Sequence, residues 1–251
     1  MAQKSLIVDE RADRTQVTLN RPDSRNSIDQ ALVDELHAVC ARLEAEPKLL
    51  VISGAGGTFA SGADIRQLIE RGRTEALAGI NTTIFQRIAT LPMPVIAAID
   101  GYALGGGAEL AYSADFRVAS TTAKIGNPEV GLGIIAGAGA TWRLIELVGE
   151  PVAKEILLAG RVLSAEEALA LRLVSEVHEP QHLLAAADAL ADRILTSDPA
   201  ALMATKRALA APRTAHPAVD LEEQAVLFES ETKRVRMTEF LNRHSLERKK
   251  K

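Results

Sequence analysis

The chain has 251 residues, of which 47% are apolar and 25% charged, the composition of a folded globular protein long enough to bury a substantial core. A formal charge of −4 and an aromatic content of 3% speak against nucleic acid as a partner, since neither a basic field nor stacking platforms are on offer. The single cysteine, Cys40, rules out an intrachain disulfide and any multi-cysteine metal site, and fits a reducing compartment.

At the N-terminus, Leu6-Ile7-Val8 is an apolar run too short for a signal peptide and is followed at once by Asp9 and Glu10. No stretch of about 18 apolar residues offers a membrane span. The expectation is a soluble, cytoplasmic protein without a membrane partner.

The first strand-like run is Gln16 to Leu19. Ser27 with Gln30 three residues later reads as a capping box opening a helix, and Leu32, Leu36, Val39 and Leu43 give that helix one apolar stripe. Cys40 on this helix reads as core packing. Leu49 to Ser53 is the next strand, apolar on consecutive positions and so expected to be covered on both faces.

A Gly-rich segment, Ser53-Gly54-Ala55-Gly56-Gly57-Thr58-Phe59-Ala60-Ser61-Gly62-Ala63-Asp64-Ile65, leads from that strand toward a helix. Such a loop can turn bare backbone N–H groups toward an anion or a developing oxyanion, or serve only as a connecting turn. It lacks the ending of a phosphate-binding P-loop, and no Gly-x-Ser-x-Gly elbow occurs.

Pro94 to Asp100 is the third long apolar run, and Gly105-Gly106-Gly107-Ala108-Glu109 follows it at a helix entrance. Successive glycines are costly in backbone entropy, so a backbone must pass, or a ligand must sit, very close. Glu109 lies in the first helical turn, where the helix dipole favours a carboxylate whatever its task.

After a strand at Phe116 to Ser120 comes Asn127-Pro128-Glu129-Val130-Gly131-Leu132-Gly133. Gly131, Gly133 and Ala136 match a dinucleotide-binding spacing, but Pro128 and Glu129 stand where the preceding strand belongs. A carboxylate among uncharged neighbours would have its pKa raised by desolvation and could act as a general acid or base; a surface-loop glutamate is the alternative.

Ser164 with Glu167 repeats the capping signal, Leu173 to His178 is the last strand, and Asp198-Pro199 opens a helix. From about Gln181 onward only helical patterns recur, around 181–196, 199–210, 217–230 and 231–243. The chain therefore reads as an α/β core over 1–195 and a helical C-terminal region over 196–251, with Glu247 to Lys251 as a solvated charged tail. The five histidines form no metal-binding spacing.

Taken together, Asn20-Arg21-Pro22 with Asn26, SGADI, PVIAAIDGYALGGGAEL, NPEVGLGIIAGAGATWRL and LVGEPVAKEILLAGRVLSAEEAL resemble the enoyl-CoA hydratase/isomerase (crotonase) family, in order and spacing along nearly the whole chain. The resemblance implies a spiral of repeated ββα units with C-terminal helices that build a homotrimer or homohexamer. It places an oxyanion hole on the backbone N–H groups of Ala63 and Gly106 and paired acid/base carboxylates on Glu109 and Glu129. Gly62, Asp64, Ile65, Gly105, Pro128, Gly131 and Trp142 fall around the acyl-CoA substrate, and no metal or redox cofactor is needed.

Retention of both glutamates favours hydration of a trans-2-enoyl-CoA, because relatives that isomerise or cleave often keep one. An isomerase or other acyl-CoA enzyme is the second reading, and a noncatalytic acyl-CoA or RNA binder the third. Ile125, Asn127, Ala136, Ala140 and Trp142 depart from the family's usual residues. Trp142 either reshapes the acyl pocket or only packs.

Overall fold

A computed structural model describes residues 4–248. The consecutive apolar runs become the middle of a six-stranded sheet ordered β1-β2-β3-β4-β6-β9, with strands β1 (Leu6–Glu10), β2 (Arg14–Leu19), β3 (Leu49–Gly54), β4 (Val95–Ile99), β6 (Phe116–Ser120) and β9 (Glu176–His178). Only the β1–β2 hairpin is antiparallel; β2, β3, β4, β6 and β9 run parallel. Every residue of β4 is buried, as a parallel strand covered on both faces requires.

A second sheet holds β5 (Tyr102–Leu104), β7 (Lys124–Gly126) and β8 (Val162–Ser164) in the order β5-β7-β8. The chain climbs by repetition, since β4 and then β6 each lie in the large sheet and are followed by β5 and β7 in the small one. One turn earlier, Ala60 forms an isolated parallel bridge to Ala103 after β3. These stacked turns are the spiral that the resemblance implies.

Helices connect the turns: α1 (Gln30–Ala45), α2 (Ile65–Glu70), α3 (Arg73–Ala78), α4 (Ile80–Ala89), α5 (Gly106–Tyr112), which is buried throughout, α6 (Ala140–Val148), α7 (Glu150–Ala159) and α8 (Ala165–Ala170). Leu32, Leu36, Val39 and Leu43 are buried on α1, with Cys40 beside them. The start of α1 corrects the expected capping box. Asp29 is the N-cap, accepting the Leu32 N–H at 2.9 Å, while the Ser27 hydroxyl takes part with Arg21 and Asp64 instead. An aspartate two residues further on offers a cap that reaches the third helical N–H, so the helix begins there. Ser164 and Glu167 do form a capping box, and Asp198 caps its helix through the Ala201 N–H.

The chain divides into two compact units, one ending at Arg193 and one beginning at Ile194. Helix α9 (Leu183–Leu195) crosses that boundary, and α10 (Pro199–Ala210), α11 (Ala218–Phe228) and α12 (Glu231–Arg248) make up the second unit. The last three residues of the charged tail lie outside the described residues.

Candidate active site

The three glycines after β5 have three different reasons. Gly105 takes a left-handed φ of 52°, and a Cβ there would stand 3.0 Å from Glu129 Oε1. Gly107 packs so closely on the preceding turn that a Cβ would meet the Ala60 carbonyl oxygen at 2.1 Å. Gly106, between them, opens α5, so its N–H has no partner within the helix.

Ala63 reaches the same spot from the earlier turn. Ile28 donates to the Gly62 carbonyl at 2.8 Å, and its own carbonyl accepts the Asp64 N–H at 3.0 Å. In such a parallel bridge the middle residue turns its own N–H the other way. The Ala63 nitrogen lies 3.5 Å from where a Gly106 Cβ would be, which brings the two backbone nitrogens to the edge of one small space.

Glu109 sits in the first turn of α5 and is only 3% exposed. One carboxylate oxygen accepts the N–H groups of Ala138 at 2.7 Å and Ala140 at 3.1 Å. That loop is itself tied to the entrance of α4, because the Thr82 hydroxyl donates to the Gly137 carbonyl at 3.1 Å. Burial pushes the Glu109 pKa from 4.5 up to about 7; the backbone donors pull it down, and the charge of Glu129 adds to the rise.

Glu129 opens a short 3-10 turn, Glu129–Leu132, just beyond β7. It is buried, and its pKa is also raised by desolvation. Its Oε1 accepts from the Asn127 amide at 3.4 Å, which favours the charged form, while its Oε2 has no hydrogen-bond partner. Asn127 is oriented by the buried Tyr112 hydroxyl, which donates to its Oδ1 at 3.0 Å and so leaves the amide N–H₂ for Glu129 and for the Gly105 carbonyl at 3.3 Å. Because a tyrosine hydroxyl inside a core must find an acceptor, this contact fixes which way the amide points.

A cavity of about 540 Å³ joins these parts, and Gly62, Ala63, Ile65, Gly105, Gly106, Glu109, Pro128 and Glu129 all line it. Leu68, Ile80, Leu132, Ile134 and Ile135 supply apolar wall, with Arg71 and Glu75 on the same lining. Three residues expected near the substrate lie off this wall. Asp64 caps α2 through the Arg66 N–H and pairs with Arg21; Gly131 has open space around it; and Trp142 is 41% exposed, packing at 3.8 Å from the position of a Gly139 Cβ. On α6 the buried phase belongs to Ala140 and Leu144, which turns Trp142 outward. Sequence reasoning did not reach Asn81, Thr82 or Tyr112, which lie outside the quoted motifs; Ala138 and Ala140 lie inside one, but their role as backbone donors to Glu109, 29 and 31 residues away, shows only in the fold.

Among the described residues, no group of three His, Cys, Asp or Glu side chains could hold a metal ion, and no helix is long and apolar enough to cross a membrane. The sequence model of the enoyl-CoA hydratase/isomerase family matches residues 10–250. The chain is 34% identical to the short-chain-enoyl-CoA hydratase of Clostridium acetobutylicum over 256 residues, covering 98% of both chains. It is 37% identical to the crotonyl-CoA hydratase of Syntrophomonas wolfei over 213 residues, covering 83% and 82%. The solved enoyl-CoA hydratase of Bacillus anthracis superposes with a TM-score of 0.90 at 30% identity, over 95% of this chain and 96% of that one. With its spiral of turns, its paired buried glutamates and a family match along nearly its whole length, the chain belongs to the enoyl-CoA hydratase/isomerase family.

Proposed function

We propose that the protein is an enoyl-CoA hydratase, adding water reversibly across the double bond of a trans-2-enoyl-CoA to give the 3-hydroxyacyl-CoA. The observation that carries this reading is the pair of buried carboxylates, Glu109 and Glu129, on the wall of one cavity that also holds the unpaired N–H groups of Ala63 and Gly106. Hydration needs a base to take a proton from water, an acid to protonate the α-carbon, and stabilisation of the enolate oxygen between those events. Burial raises the pKa of both carboxyls, and the charge of Glu129 adds to the rise of Glu109 to about 7, so that one can serve as base while the other serves as acid.

Ala63 and Gly106 donate to the thioester oxygen, and Gly62, Ile65, Gly105 and Pro128 shape the space around the enoyl group. This chemistry requires neither metal nor redox cofactor; coenzyme A enters only as part of the substrate. Asp64, Gly131 and Trp142, off the cavity wall, are left to the outer parts of the substrate or to packing.

The helices α10 to α12 support self-assembly into a trimer or hexamer, and the single free cysteine, Cys40, fits the reducing cytoplasm. Leu209, Leu221, Val226, Phe228 and Phe240 are all exposed on these helices, apolar surface that further copies of the chain would cover. The hydratase reading is tested by mixing the protein with a trans-2-enoyl-CoA and following loss of the conjugated thioester absorbance. Water addition removes it; migration of a 3-enoyl double bond into conjugation, without hydration, would give the isomerase reading instead.

A further inference from the structure

Asn81 is the one side-chain amide on the cavity wall, at the second position of α4. Its Oδ1 is buried and has no hydrogen-bond partner. An orphaned buried carbonyl is destabilising, a cost that a leucine of similar size would avoid. The helix that carries the amide is held in place, since the next residue, Thr82, is hydrogen-bonded to Gly137, and Ile84, Phe85 and Ile88 bury its inner face.

The other end of this amide points at the reacting centre. A Cβ placed on Gly106 would stand 3.3 Å from Asn81 Nδ2 and 3.5 Å from the Ala63 nitrogen. The space that a side chain at position 106 would fill is therefore faced by three nitrogens: those of Gly106, Ala63 and the Asn81 amide. An oxygen seated just beyond that space would have three N–H donors around it, a more complete cradle than two.

We infer that Asn81 is a catalytic residue, a third, side-chain donor to the thioester oxygen alongside the Ala63 and Gly106 backbone. The inference rests on the cavity's being an acyl-thioester site. Because the oxygen gains charge as the enolate forms, a donor aimed at it strengthens most in the transition state, and its loss falls on kcat rather than on KM.

The test compares wild type with Asn81→Leu, which keeps the volume, and Asn81→Asp, which keeps the shape but turns an oxygen where N–H₂ stood; Asn81→Ala replaces the leucine variant if melting shows that it does not fold. Hydration of a short trans-2-enoyl-CoA should lose about 10²-fold in kcat, the usual effect of removing one oxyanion donor, with KM nearly unchanged, and aspartate should lose at least as much as leucine. The second readout is the infrared carbonyl stretch of bound butanoyl-CoA carrying ¹³C at the thioester carbon. Its downshift in wild type should shrink in both variants. Variants that keep the full downshift and kcat, or that change KM alone, would reduce Asn81 to cavity lining and overturn the inference. Since butanoyl-CoA cannot be hydrated, a wild-type protein that adds no water would sink the hydratase reading while the carbonyl shift still judged Asn81. A wild-type protein that binds the thioester without any downshift would overturn the three-donor cradle itself.

Discussion

Glu109 combines burial with two backbone hydrogen bonds to one oxygen, and burial wins: the pKa ends at about 7 rather than below the ordinary 4.5. The raised value ties stability to pH with a definite sign. A carboxyl whose folded pKa lies above its unfolded one contributes most below about pH 4.5 and loses that contribution as pH rises through 7. Glu129 shifts the same way. Glu109→Gln, which can keep both backbone donors on its Oε1, should therefore melt higher than wild type at pH 8 by several degrees, a ceiling of about 3 kcal/mol being set by the shift at 1.36 kcal/mol per unit. At pH 4.5 the two should melt nearly together. An equal difference at both pH values would show that the carboxylate pays no ionisation penalty in the fold.

At the scale of elements, the parts legible in the sequence were those written as local pattern. The consecutive apolar residues of β3 and β4 announced strands covered on both faces, and Ser164 with Glu167 announced a cap; both stand in the structure. Strands β5, β7 and β8 span three residues each, too short for any alternation to show, and exist because the spiral pairs them with one another. Strand β1 begins in the apolar run Leu6-Ile7-Val8 but buries only Leu6 of its five residues on the hairpin edge, so no alternation of apolar and polar residues marks it as a strand. The glycine run made close approach legible, but not what approaches: Glu129 at Gly105 and the Ala60 carbonyl at Gly107 come from other turns. Tyr112 and Asn127 likewise meet across 15 residues of chain, and only the fold shows that one sets the other's amide toward Glu129.

For the whole molecule, the unit ending at Arg193 contains every residue of the candidate site, and the unit from Ile194 onward carries none of them while showing apolar side chains to solvent. Leu209 is 81% exposed and Val226 73%. Such a surface calls for a cover, and a second and third copy of the same chain would supply it by symmetry. Light scattering at micromolar concentration should give a mass of three chains or a multiple of three; a clean monomer would contradict assembly through these helices while leaving the chemistry of the cavity untouched.

The central claim is that Glu109 and Glu129 act together on one water. The direct measurement is incorporation of ¹⁸O from labelled water into the 3-hydroxy product, with turnover followed by the enoyl-thioester absorbance, for wild type, Glu109→Gln and Glu129→Gln. Wild type should place ¹⁸O at C3, and each variant should remain folded and slow both hydration and the reverse dehydration by about 10² to 10⁴, the usual span for losing an acid/base group. A variant that hydrates at the wild-type rate would remove that glutamate from the reaction, and a wild-type product without ¹⁸O would contradict hydration altogether.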